Sequence, residues 1–337
     1  MARNVIRMLS LAAALAASSL ANAASQPLSA ADQVREMRRG VNIVGYDPLW
    51  QDPAKARFTP RHFAVIHDGG FSSVRIVLMA FRFMNGRNEL PATWFATVDG
   101  LVSEALKQQL TVIIDEHDYN ACGSDVVACR PKLMAFWTQV AEHFKDAPDK
   151  VVFEILNEPN GATNDVWNDV HAEALAIIRR TNPTRNVIIG PAFWNNVGWL
   201  DKLELPKADR HIIVTVHYYL PMRFTHQGAA WTPENAGLSG ITWGTPEDYA
   251  ALEKDFDGVQ AWAKHNDRPI LLGEFGAYDK GPLESRVKYT AAVARAAEKR
   301  GWAWAYWQFD RDFIVYDIDR DQWVEPIHAA LIPGAKN

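Results

Sequence analysis

Val151-Val152-Phe153-Glu154-Ile155-Leu156-Asn157-Glu158-Pro159 is a largely apolar run that ends abruptly in polar residues and a proline. Such a run, rich in Val and Ile, reads as a strand covered on both faces. Pro159 cannot continue a ladder, so it ends the strand beside Asn157 and Glu158. The same pattern recurs. Gly40–Val44, Ser73–Leu78, Thr111–His117, Val151–Asn157, Asn186–Gly190, Ile212–Tyr218, Pro269–Phe275 and Trp302–Phe309 are the candidate strands. Helical patterns lie between them. Pro131 reads as a first-turn proline, and Asp165 opens a helix with Val166, Val170, Leu175 and Ile178 on one stripe. Thr245-Pro246-Glu247-Asp248 is a capped start, and Pro282–Arg300 is a helix stopped by Gly301.

Alternating strands and helices of this kind predict an α/β fold, a (β/α)8 TIM barrel in a single domain. At roughly 150 residues per domain, 337 residues could form two domains. However, no Pro-, Gly- or Ser-rich linker, repeat or low-complexity block divides the chain. A doubly wound sheet is the alternative. No Gly-x-Gly-x-x-Gly turn follows the first strand, which disfavours its dinucleotide-binding version.

Composition narrows the function. The chain is 48% hydrophobic and 22% charged, enough to build a core and too apolar for disorder. A formal net charge of −5 without a basic stripe argues against a nucleic-acid partner. Thirteen Trp residues make an aromatic-lined binding surface plausible.

Residues 1–23 read as an export signal. Arg3 and Arg7 precede a short apolar run, Met8 to Leu20, and Ala21-Asn22-Ala23 forms a small-residue cleavage site. The run is too short to span a bilayer, and no later stretch is suited to it. The expectation is a secreted protein, extracellular or periplasmic, with the barrel in residues 24–337 and Ser25–Asp32 as a flexible leader. Cys122 and Cys129 are the two cysteines. In an oxidising compartment they are expected to form a disulfide that fixes a loop near residues 115–120.

In a barrel, active sites form at the C-terminal ends of several strands. There the sequence places Arg75, Asp115-Glu116-His117-Asp118, Asn157-Glu158-Pro159, His217-Tyr218-Tyr219, Gly273-Glu274-Phe275-Gly276 and Trp307-Gln308. Each alone is weak; an isolated strand-end Glu is usually solvated or salt-bridged. Together, in this order, they are specific.

On those motifs the chain resembles glycoside hydrolase family 5 over about residues 38–310, with Asn-Glu-Pro and Gly-Glu-Phe-Gly carrying most of the likeness. The resemblance implies a retaining β-glycanase. Glu158 then matches the acid/base and Glu274 the nucleophile. Arg75, His117, Asn157, His217, Tyr219 and Trp307 match the remaining active-site positions, with no departure among them. Cleavage of a glycosidic bond by retention needs two carboxyl groups about 5–5.5 Å apart, one neutral and one ionised at rest. Arg75 and Tyr219 are expected to hold Glu274 ionised, and the Glu274 charge to raise the pKa of Glu158. Asn157 is expected to contact the sugar, His117 and His217 to orient substrate or carboxylates, and Trp307 to form a floor beneath the sugar.

Trp50, Trp194, Trp231 and Trp243 are candidate subsite aromatics, each with local packing as its alternative. The long connection Pro221–Thr245 reads as one wall of a cleft. Three acids and a His at 115–118 could suggest metal. Strand alternation turns Glu116 away from Asp115 and His117, and no His-Glu-x-x-His is present. No catalytic metal or cofactor is therefore expected. The sequence thus points to a monomeric endo-β-1,4-glucanase acting on a β-linked polysaccharide. Its rivals are a β-mannanase or another β-glycanase, a non-catalytic glycan-binding barrel, and a metal-dependent barrel hydrolase.

Overall fold

The computed structural model describes residues 27–334. The expected export signal lies outside them. Eight parallel strands close into a barrel in chain order: β1 (Arg39–Ile43), β2 (Ser73–Leu78), β3 (Thr111–Glu116), β4 (Val151–Glu154), β5 (Val187–Ile189), β6 (Ile212–Tyr218), β7 (Ile270–Phe275) and β8 (Ala303–Tyr306). Strand β8 pairs with β1 through Arg39–Trp304, Gly40–Ala305 and Val41–Tyr306, so the sheet has no edge. The fold is a (β/α)8 barrel.

Around the barrel and across its ends lie α1 (Ala30–Met37), α2 (Arg61–Asp68), α3 (Ala92–Lys107), α4 (Tyr119–Ser124), α5 (Val126–His143), α6 (Trp167–Thr181), α7 (Pro246–Asn266), α8 (Leu283–Lys299) and α9 (Glu325–Leu331). A two-stranded hairpin, Tyr316–Asp317 with Gln322–Trp323, follows β8. The outward strand faces and inner helix faces form one continuous apolar layer.

Three local expectations change. Ser29 is not in a flexible leader: its hydroxyl caps α1 by accepting from Asp32 N–H. Helix α1 then plugs the barrel floor, where Ala30, Val34 and Met37 pack on Ile113, Val152, Ile188, Ile213, Leu271 and Ala303. Pro131 lies within α5 rather than in its first turn. Asp125 starts that helix earlier by accepting from Ala128 N–H at 3.0 Å. Asp165 belongs to a 3-10 segment, Gly161–Val166, that precedes α6. The capping box at Thr245 and Asp248 is present as expected.

Inside the barrel, alternation along the strands decides the chemistry. Six of the inward positions near the floor are aliphatic: Ile113, Val152, Ile188, Ile213, Leu271 and Ala303. One level higher stand Asn42, Arg75, Asp115 and Glu154, all fully buried. A polar layer in a dry interior survives only if its members satisfy one another.

Candidate active site

Arg75 organises that layer. Its guanidinium carries five N–H donors in a rigid fork. Nε donates to Glu154 Oε2 at 2.7 Å; Nη1 donates to Asn42 Oδ1 at 2.9 Å and Glu274 Oε1 at 2.8 Å. Nη2 donates to Glu154 Oε1 at 3.0 Å and Asn157 Oδ1 at 2.8 Å, and lies 3.1 Å from Asp115 Oδ2. Every donor is used. Glu154 and Asn42 are the partners that sequence reasoning missed. Their signal was present, since both occupy inward positions of otherwise apolar strands.

The network fixes the state of His117. Asn157 Oδ1 accepts from Arg75, so Asn157 Nδ2 must be the group facing His117 Nε2 at 3.2 Å. Nε2 therefore accepts, and the ring proton sits on Nδ1, donated to Asp115 Oδ2 at 2.6 Å. Burial lowers the His117 pKa to about 3, so the ring stays neutral. Both ring nitrogens are occupied. The ring instead backs Trp307, stacked at 5.6 Å and 7°. Tyr46 meets Trp307 edge-on at 6.4 Å.

Glu158 and Glu274 reach the cavity by two different backbone irregularities. Asn157 and Glu158 are neighbours, and a regular strand would turn them to opposite faces. Glu158 adopts φ 41°, a left-handed conformation that a side-chain-bearing residue seldom takes. At β7 the ladder with β6 slips: Val216 pairs with Leu272, and His217 pairs with Glu274. The bulge at Gly273 turns Glu274 inward.

Glu158, His217 and Glu274 each offer one ligand atom, and these atoms all lie within 4.8 Å of one another. The two carboxyls differ in their partners. Glu274 accepts from Arg75 Nη1 and from the Tyr219 hydroxyl at 3.0 Å. Glu158 Oε1 lies 2.8 Å from His217 Nδ1, the one side chain that hydrogen-bonds this carboxyl among the described residues. Burial raises both carboxyl pKa values above the ordinary range, that of Glu158 to about 8. Burial rather than the Glu274 charge is the main cause at Glu158, with Arg75 pulling the other way. Glu274, held by a guanidinium and a phenol, is the better stabilised anion. Burial lowers the His217 pKa to about 4. Residues 115–118, three acids and a His, are the stretch that could suggest metal. Asp115 is committed to Arg75 and His117, whereas Glu116 turns away and accepts from Asp118 N–H.

The four candidate subsite aromatics divide. Trp194 and Trp231 are each 51% exposed, and Trp194 N–H donates to Pro159 O, next to Glu158. Trp231 packs against Tyr278 at 4.8 Å. Trp243 is a core residue instead, 4% exposed between Tyr249 and Tyr289. Trp50 is likewise a packing residue, 8% exposed, with its indole N–H donated to Val44 O. The connection 221–245 is held by Gln227, whose side chain bonds both the N–H and the carbonyl of Ile241 at 2.9 Å. Cys122 and Cys129 are joined, tying α4 to α5.

The family model for cellulase (glycosyl hydrolase family 5) matches residues 34–312. Endoglucanase H of Acetivibrio thermocellus is 30% identical over 321 residues, covering 90% of this chain and 34% of that protein. The chain spans 34% to 55% of the length of the first curated relatives it matches. Among solved structures, Thermotoga maritima Cel5A in complex with cellobiose superposes with a TM-score of 0.86 at 38% identity, covering 90% of this chain and 99% of that one. The same protein with mannotriose gives 0.86 at 37% identity, again covering 90% and 99%.

Proposed function

The chain belongs to glycosyl hydrolase family 5, and on that premise we propose that it is an exported, retaining endo-β-1,4-glucanase that cuts β-glucan chains by double displacement. The observation that carries this reading is the carboxyl pair. One oxygen of Glu158 and one of Glu274 lie within 4.8 Å of each other, in keeping with the short carboxyl separation of retaining sites. Glu274 is the nucleophile, its charge supported by Arg75 and Tyr219. Glu158 is the acid/base, buried enough to hold a proton near neutrality. In the first half-reaction Glu274 bonds to the anomeric carbon while Glu158 protonates the departing oxygen. In the second, Glu158 takes a proton from water, whose oxygen displaces Glu274. Trp307, held flat by His117, is the platform under the sugar, and Trp194 and Trp231 extend the surface along the chain.

Export is supported by the signal-like residues 1–23 and by the Cys122–Cys129 bond, which suits an oxidising compartment. No helix among the described residues is long and apolar enough to cross a membrane.

The test is product analysis of the protein on carboxymethylcellulose, mixed-linkage glucan, xyloglucan, mannan and xylan, with Glu274→Ala as control. Mixed cello-oligosaccharides of retained configuration support the proposal. Cleavage of mannan alone would keep the mechanism and change the substrate, the second reading favoured by the relative solved with mannotriose. Binding without turnover would reject catalysis.

A further inference from the structure

After β5 the backbone takes an unusual detour. Phe193, Trp194 and Asn195 adopt φ of 56°, 62° and 52° in succession, and none is glycine. The detour is held at several points. Phe193 N–H donates to Asn164 Oδ1, Trp194 N–H donates to Pro159 O, and the Phe193 ring stacks on Trp199 at 3.6 Å. At Asn196 the chain rejoins the sheet in a bridge to His217. Asn195 is left fully buried. Room for it comes from Gly190, where a Cβ would stand 2.2 Å from Asn195 Oδ1.

Asn195 Nδ2 stands 3.2 Å from His217 Nε2. His217 Nδ1 faces the Glu274 carboxylate at 3.6 Å as well as Glu158, which places the ring proton on Nδ1; Nε2 is then the accepting nitrogen, and the Asn195 amide donates to it through Nδ2. Nδ1 is the atom 2.8 Å from Glu158 Oε1. We propose that Asn195 is a positioning residue that locks His217 as its Nδ1–H tautomer, so that the transferable proton of Glu158 is carried on Oε2, the oxygen His217 leaves free. The inference rests on the reading of Glu158 as acid/base and adds what aims its proton.

The proton count is consistent in both half-reactions. Oε2–H gives its proton to the glycosidic oxygen as that oxygen leaves the anomeric carbon and Glu274 bonds to it. The new Glu158 carboxylate is met by the Nδ1–H donor already facing it. Oε2 then takes a proton from the water that displaces Glu274. The opposite tautomer would present a bare Nδ1 to Glu158. The carboxylic proton would then settle in an O–H···N bond, turned from the leaving group.

The experiment compares Asn195→Ala, Asn195→Asp and Glu158→Ala on cellotetraose and on 2,4-dinitrophenyl β-cellobioside, whose leaving group departs without a proton. An Asp carboxylate is isosteric with the amide but only accepts, so it draws the ring proton to Nε2. On cellotetraose, kcat/KM is expected to fall about tenfold for Asn195→Ala and about 100-fold for Asn195→Asp. On the activated aryl glycoside, kcat/KM should stay within about threefold for both. The ring-nitrogen NMR shifts of His217 should report Nδ1–H in the native protein and a proton on Nε2 in Asn195→Asp. An Asn195→Asp variant better than Asn195→Ala on cellotetraose, equal losses on both substrates, or Nε2–H in the native ring would each overturn the proposal. The native ring spectrum decides the matter even if the Asp variant does not fold. Glu158→Ala separates the two readings: as acid/base it loses cellotetraose and keeps the aryl glycoside, whereas equal loss on both rejects the acid/base role itself.

Discussion

His217 and Glu274 stand opposite one another in the ladder because β7 bulges at Gly273. A Cβ at Gly273 would lie 2.5 Å from Thr215 Oγ1 and 3.0 Å from His217 Nε2. Gly273→Ala therefore pushes on the histidine that faces both carboxyls. It should cost about 1–3 kcal/mol in stability, as overpacked cores do. Turnover should drop further than KM changes. Urea denaturation with steady-state kinetics checks both.

Arg75→Lys keeps the charge but not the fork. One ammonium cannot span Glu154, Asn42, Asn157 and Glu274 together. Breaking a buried ionic network of this kind costs about 3–5 kcal/mol. The variant should unfold at clearly lower urea concentration and lose most of its turnover. Native-like stability would show that Arg75 is not the organiser of the layer.

Activity should have two pH limbs set by the pair as a unit. kcat/KM should fall above about pH 8 as Glu158 loses its proton, and should fall in acid at a pH above the ordinary glutamate value as Glu274 gains one. Stability runs with a definite sign. Glu158 holds its proton to about pH 8 in the folded chain, against an ordinary value of 4.5. Over that interval the folded state binds the extra proton, so this residue's contribution to stability declines as pH rises. Glu158→Gln should match the native Tm at pH 4 and exceed it by a few degrees at pH 8. A Tm difference independent of pH would contradict the buried neutral carboxyl.

Trp194 and Trp231 are exposed, whereas Trp243 is packed. Alanine at either exposed position should raise KM on long glucans severalfold, with little effect on a cellobioside or on Tm. Trp243→Ala should instead destabilise by about 3–5 kcal/mol. Thermal melts and KM against chain length separate the two behaviours.

The disulfide closes a short loop, so its removal should lower Tm only modestly. Its effect on turnover has a route. Gly123 of α4 packs on Asn160, whose Nδ2 donates to the Glu158 carbonyl at 2.9 Å. Cys122→Ser with Cys129→Ser should reduce kcat severalfold; unchanged kcat would place α4 outside the working site.

Much of this was written in the linear chain. Apolar runs ending in polar residues gave away the strands, because a parallel strand buried on both faces must be apolar along its length and can turn polar only at its end. Hence the barrel was legible, and with it the strand-end positions of Arg75, the carboxyl pair and Trp307, whose roles the family resemblance then implied. Local patterns could not reveal what depends on neighbours distant in sequence. Glu154 and Asn42 looked like isolated polar residues until the barrel closed them around Arg75. Trp194 and Trp243 are the same residue type in similar loops, yet packing buried one and left the other in water. The bulge at Gly273, the left-handed Glu158 and the detour that carries Asn195 to His217 are backbone departures from regular geometry. They persist because contacts across the barrel over-determine them. Periodicity determined the scaffold, and the strand-end motifs with the family likeness they carry pointed to the candidate site residues; tertiary packing alone decided where each side chain points and which protons it holds.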